Sequence, residues 1–147
     1  MEHEEYMRQA LELARLAMAE GEVPVGCVIV RDGAVVGRGR NRRETAQTAL
    51  GHAELEGIAQ ACRSLGGWRL AGCALYVTLE PCPMCAGAIV NARIPAVYYG
   101  AKDDKAGCCG SVLNLFEERF NHHPRIYGRV LEAECAALLQ EFFQSLR

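Results

Sequence analysis

The sequence predicts an α/β fold, a mixed β-sheet with helices packed on both faces. Three observations predict it. A two-residue turn signal, Asp32-Gly33, joins two apolar, β-branched runs. Beyond it, stretches with helical apolar spacing alternate with short strand-like runs. Half of the 147 residues are apolar, enough to fill one sizeable core.

Each element follows from local chemistry. Positions 4–20 place Leu13, Leu16 and Ala17 on one stripe with Tyr6 and Ala10, which predicts an amphipathic helix ended by Gly21. Positions 26–31 predict a strand, and 34–40 predict its return partner. A polar loop covers 41–48. Positions 52–65 predict a second helix, closed by Gly66-Gly67. A short strand is expected at 74–78, stopped by Pro81, and a third helix at 82–91. Positions 96–100 predict another strand, 112–120 a weak helix, 125–128 a short strand and 132–147 a final helix. Length suits one domain over 1–147.

Composition narrows the function classes. No apolar run approaches the roughly 20 residues that span a bilayer. The acidic start, Glu2-His3-Glu4-Glu5, precedes no apolar signal region. A cytoplasmic protein without membrane contact is expected. There the eight cysteines should stay reduced. Cys27, Cys62, Cys73 and Cys135 stand among apolar or small residues and read as small hydrophobes. Net charge is −2, so the chain as a whole is not a basic nucleic-acid binder. Arginines nevertheless cluster at Arg38, Arg40, Arg42 and Arg43, and basic groups again at Arg119, His122, His123, Arg125 and Arg129. Each cluster is either a solvated face or a phosphate-contacting rim.

Two short motifs carry chemistry: His52-Ala53-Glu54 and Pro81-Cys82-Pro83-Met84-Cys85. Both fall at expected helix starts. Cys82 and Cys85, three apart on one helical turn, point their sulfurs to one side. A helix N-terminus favours the thiolate that zinc requires. His52 adds a third ligand, which leaves one tetrahedral position open, as in catalytic zinc sites. Glu54, two residues on, can take a proton from an attacking water and pass it to a ring nitrogen and then to a leaving amine.

Each motif alone also has an ordinary explanation. A lone His-x-Glu is often surface chemistry. A lone Cys-x-x-Cys can be a redox pair or half of a structural zinc site. Pro83-Met84 inside the pair weakens the redox reading. Cys108-Cys109 offers poor additional chelation and reads as part of a Gly-rich loop. In this order, however, the two motifs form the known signature of the zinc deaminases.

At these residues the chain resembles the bacterial tRNA-specific adenosine deaminases of the cytidine deaminase-like superfamily. The resemblance runs along nearly the whole chain. It rests on Glu22-Val23-Pro24-Val25-Gly26, Asn41-Arg42, His52-Ala53-Glu54, positions 75–88, Gly100-Ala101-Lys102-Asp103 and Glu134-Cys135-Ala136. It implies a three-layer α/β/α sandwich around a five-stranded sheet, one zinc per chain and a homodimer. It implies deamination of the wobble adenosine in a tRNA anticodon loop to inosine. Among site residues it implies that Asn41 hydrogen-bonds the flipped base, the Ala53 N–H meets its edge, Val23 packs on it and Asp103 lies beside the nucleotide backbone. The chain departs from the family at Thr48-Ala49-Leu50, where members usually carry Asp-Pro-Thr. Two rivals stay open: a deaminase of a free base or nucleoside of the guanine or cytosine type, and a noncatalytic zinc-binding subunit.

Overall fold

The computed structural model describes residues 2–146. Helix α1 spans Glu2–Ala19, β1 Gly26–Arg31, β2 Ala34–Arg40 and α2 Ala53–Leu65. Then follow β3 Cys73–Leu79, α3 Pro83–Asn91, β4 Ala96–Ala101, β5 Arg125–Tyr127 and α4 Glu132–Ser145. The five strands stand in the order β2-β1-β3-β4-β5. β1 runs antiparallel to both neighbours, whereas β3, β4 and β5 are parallel. This is the expected mixed sheet with helices on both faces.

The pleat divides the core in two. Along β1, Cys27 and Ile29 face a cluster with Ala53 and Ala61 of α2 and Ala86 and Ile89 of α3. Val28 and Val30 point the opposite way, toward Met7, Ala10 and Leu11 of α1 and Leu138 of α4. Successive side chains on a strand leave from opposite faces, so one strand serves both layers. Gly39 of β2 brings α2 close: a Cβ there would stand 2.1 Å from the Ala53 carbonyl oxygen. α2 also covers the open edge of β2. The Arg38 N–H donates to Gln60 Oε1 at 2.7 Å and the Arg40 N–H to Glu56 Oε1 at 3.2 Å. Edge N–H groups that would invite another strand are thereby occupied.

Two local expectations change. The buried stripe of α1 is Met7, Ala10, Leu11, Ala14 and Ala17, while Leu16 is exposed. The helix turns its alanines to the sheet because they permit the closest approach, and Tyr6 and Leu13 flank the contact half-buried. The weak helix expected at 112–120 shrinks to a 3-10 turn at Leu115–Glu117. Its backbone donors are drawn elsewhere: Val112 N–H to Gly107 O at 2.9 Å and Leu115 N–H to Cys108 O at 3.0 Å. The Asn114 side chain accepts from the Phe116 N–H and caps that single turn. Position 147 of the expected final helix lies outside the described residues. All eight cysteines are free thiols. Among the described residues no helix is long and apolar enough to cross a membrane.

A buried carboxylate, Glu22, ties the loop after β2 to the body. It accepts from the Glu44 N–H at 3.1 Å and from the Thr45 N–H and hydroxyl. Burial alone would raise its pKa, but the Thr45 and Glu44 hydrogen bonds outweigh burial and hold it below the ordinary carboxylate range. Glu22→Ala should therefore lose about 2 kcal/mol of stability in urea unfolding, because buried donors lose their acceptor. The pH sign follows from the lowered folded-state pKa. The contribution of Glu22 is present above the unfolded carboxylate pKa and fades as pH falls through the folded value. Glu22→Gln should flatten that acid limb of the stability–pH profile.

Candidate active site

Two helix starts meet at the carboxyl end of β3. In α/β sheets that end is where ligands bind. His52 is the N-cap of α2 and Cys82 the N-cap of α3, both with extended backbone. Neither side chain caps its own helix, so the imidazole and the thiol stay free to turn toward one another. Pro83 occupies the first turn of α3, where its missing N–H costs nothing. Cys85 stands three residues beyond the cap, at the position whose side chain naturally reaches back to the cap residue.

His52 Nδ1 lies 3.5 Å from Cys82 Sγ and 3.6 Å from Cys85 Sγ. All three donor atoms lie within 4.8 Å of one another. Tetrahedral zinc, with bonds of roughly 2.3 Å to sulfur and 2.0 Å to nitrogen, requires an N···S separation of about 3.5 Å. The donor set and its spacing therefore fit a metal ion such as zinc. The three donors shift one another in different directions. The Cys85 hydrogen bond and the facing His52 hold the Cys82 thiol far below its usual range, as thiolate. The same Cys82 contact, with burial, pushes the Cys85 thiol up. His52 is raised by its hydrogen bond with Cys82.

Glu54 is buried beside these donors, and burial pushes its carboxyl up to about 7. A carboxyl poised near neutrality suits both uptake and release of a proton.

The donors open onto a cleft of about 820 Å³. Val23, Asn41, His52, Ala53, Glu54, Cys82 and Asp103 all line it, whereas Cys85 is fully buried and does not. The site residues expected from the sequence thus converge from five stretches of chain. Asn41 is half committed already: its amide donates to the Val23 carbonyl at 3.2 Å and accepts from the Arg43 N–H at 3.3 Å. One N–H and one lone pair remain for a ligand. Ala53 lies in the first turn of α2, where N–H groups have no intrahelical acceptor. Asp103 Oδ1 accepts from the Lys105 and Ala106 N–H groups, at 3.1 and 3.2 Å, and shapes its own turn.

The basic clusters resolve unequally. Arg40 pairs with Glu20 at 2.8 Å and Arg42 with Glu56 at 3.2 Å. Arg43, with only a long 3.9 Å contact to the adjacent Glu44, lines the cleft, as do Lys102 and Lys105 of the other wall. In the second cluster, His122 bonds the Ile94 carbonyl, His123 the Phe116 carbonyl and Arg129 the Glu132 carboxylate. None of that second cluster lines the cleft.

Sequence reasoning missed the two carboxylates that hold the cleft's walls, Glu22 and Glu80, both buried. Glu80 stands directly before Pro81 and Glu22 two residues before Pro24, and an acidic residue in an otherwise apolar run was the signal available. Hydrogen bonds from Ser111 and from the Asp103, Cys109 and Ser111 N–H groups overcome burial at Glu80 and hold its carboxyl below the usual range.

Comparison with known proteins agrees with this geometry. The profile of the MafB19-like deaminase family matches residues 1–147. A tRNA-specific adenosine deaminase of Bacillus subtilis (strain 168) is 51% identical over 143 residues, covering 97% of this chain and 89% of that protein. A structure solved in a study of A-to-I editing by tRNA:A34 deaminases superposes with a TM-score of 0.88 at 44% identity, covering 91% of this chain and 98% of that one. The guanine deaminase structure from Bacillus subtilis gives a TM-score of 0.66 at 43% identity, covering 69% of this chain and 66% of that one. A full-length family match, joined to a half-identical relative and a shared fold, means that the chain belongs to the MafB19-like deaminases and to the tRNA-specific adenosine deaminases.

Proposed function

We propose that this hydrolytic deaminase converts the wobble adenosine of a tRNA anticodon loop to inosine, with one zinc per chain held by His52, Cys82 and Cys85. One observation carries the reading. His52, Cys82 and buried Glu54 line a cleft with Arg43, Lys102 and Lys105, with Cys85 buried beside them in the same donor group, in a chain half-identical to a tRNA-specific adenosine deaminase. Zinc in that site would supply a water activated for attack near neutral pH.

The chain's own residues do the rest. A Glu54 carboxylate oxygen takes a proton from the attacking water and delivers it to a ring nitrogen. It then delivers the second proton to the departing amine, so ammonia leaves and a ring carbonyl remains. Burial keeps this carboxyl near neutrality for both transfers. The remaining Asn41 valences read the base edge, the Ala53 N–H meets it, Val23 packs on its face and Asp103 borders the nucleotide backbone. An anticodon-loop adenosine is already unpaired, so its extrusion costs less than flipping a base from a duplex. Arg43, Lys102 and Lys105 meet the flanking phosphates. A cytoplasmic setting, which keeps the Cys82 and Cys85 thiols reduced for zinc, belongs to this reading.

A homodimer completes the proposal. The outer side of α3 carries half-buried Met84, Gly87 and Ala88, and a groove beside it is lined by Val90, Leu115 and Phe120. Phe120 of that groove is exposed, as are Val112 and Leu113 on the segment leading to it. A second reading, deamination of a free purine such as guanine, is favoured by the 43% identity to a guanine deaminase. It needs no cationic wall. Turnover of an anticodon stem-loop, measured beside free bases and nucleosides, decides between the two.

Four outcomes are expected. Elemental analysis should give one zinc per chain, and Cys82→Ala should lose both metal and activity. Glu54→Ala should keep its zinc and lose at least about 100-fold in turnover, because it moves protons without ligating. Loss of zinc in that variant would mean a ligand had been mistaken for a base. Arg43→Ala with Lys105→Ala should weaken stem-loop binding and lower its salt slope by about one per lost phosphate contact. Arg40→Ala should leave that slope unchanged, since Glu20 already holds it. Finally, Phe120→Glu should shift a light-scattering mass from dimer toward monomer, and a wild-type monomer at micromolar concentration would rule out this surface.

A further inference from the structure

Glu80 follows the last residue of β3 and stands two before Cys82, yet it does not belong to the donor group. Its buried carboxylate accepts from the Asp103 N–H at 3.1 Å, the Cys109 N–H at 2.9 Å and the Ser111 N–H at 3.1 Å. The Ser111 hydroxyl is the fourth donor. An ionised carboxylate offers about four lone-pair sites, so four donors saturate it. No site remains for a proton in transit. Gly107 is pressed onto the same group: a Cβ there would lie 2.4 Å from Glu80 Cδ. One residue further on, the Cys108 N–H donates to the Pro81 carbonyl at 2.8 Å.

These bonds bind the segment 103–111 to the end of β3 from within. On its outer side the same segment presents Asp103 and Lys105 to the cleft. The shape of that wall is thus set by one carboxylate whose oxygens are all engaged. We infer that Glu80 is a positioning residue: it fixes the wall that grips the nucleotides flanking the target base, and so governs substrate affinity rather than proton transfer. The inference rests on the tRNA-loop reading above.

The test compares Glu80→Gln with Ser111→Ala in the zinc-loaded enzyme, using an anticodon stem-loop bearing a wobble adenosine. In Glu80→Gln an amide N–H₂ replaces one acceptor and faces the loop's donors, so the clamp opens. KM should rise about tenfold while kcat stays within about twofold. Ser111→Ala removes one donor from a half-buried site and should raise KM about threefold. It keeps the test alive if Glu80→Gln fails to fold. Zinc content should stay at one per chain in both. Amide hydrogen exchange at Asp103, Cys109 and Ser111 should quicken, which reports the clamp without any substrate. A fall in kcat at constant KM would overturn the inference by placing Glu80 in the chemistry. Loss of zinc would overturn it by showing action through Cys82. Unchanged KM with faster exchange would show that the wall does not grip substrate. Wild-type enzyme that turns over free guanine but no stem-loop would overturn the tRNA reading itself, and this inference with it.

Discussion

Everything chemical in this structure depends on two helices that begin at the same place with their cap side chains left free. An N-cap residue usually spends its side chain on the orphan N–H groups of the first turn. His52 and Cys82 do not. The N-termini of α2 and α3 abut at the end of β3, so the two uncommitted side chains face one another at 3.5 Å. Their helix ends favour negative charge nearby, which suits a thiolate. The sheet supplies the rigidity that keeps them there. Ala53, Ala86 and Ile89 anchor both helices in one core cluster with Cys27, Leu75 and Val77.

Three buried carboxylates surround this point, and their environments separate their roles. Glu54 has few partners, and burial raises it toward neutrality. Glu22 and Glu80 are surrounded by N–H and O–H donors and are held ionised. The same residue type is thus held near neutrality in one setting, as proton transfer requires, and ionised in another. The two anions hold opposite walls. Glu22 grips the loop bearing Arg43, and Glu80 grips the segment bearing Asp103 and Lys105. A cleft formed by loops becomes rigid because each loop is tied from inside the protein.

Charge at the surface follows the same logic of prior commitment. The chain is slightly acidic overall, with a net charge of −2. Glu20, just past the end of α1, and Glu56 of α2 engage Arg40 and Arg42 and stiffen the approach to Asn41. Such exposed pairs contribute little to stability, about 0–1 kcal/mol each. Their effect is to leave a few cations, on the cleft walls, for a polyanionic ligand. A modest basic rim beside a deep pocket is consistent with a protein that reads one extruded nucleotide and its neighbours rather than a long duplex.

Much of this was legible in the residues themselves. Apolar periodicity, the Asp32-Gly33 turn and glycine stops determine the order and type of the elements, because they are local properties of the chain. The juxtaposed group of His52, Cys82 and Cys85 was equally legible, since metal sites draw on a few residue types at narrow spacing. Other features were decided only by the tertiary structure. The choice of Met7, Leu11 and Ala14 over Leu16 in the buried stripe depended on how closely α1 could approach the sheet. The 112–120 stretch lost its helix because the Gly107 and Cys108 carbonyls accept the Val112 and Leu115 N–H groups. Which arginines stay available depended on glutamates distant in sequence. The roles of Glu22 and Glu80 were invisible for the same reason. A buried carboxylate is defined by the donors that surround it, and these arrive from residues more than 20 positions away, brought together only when the sheet forms.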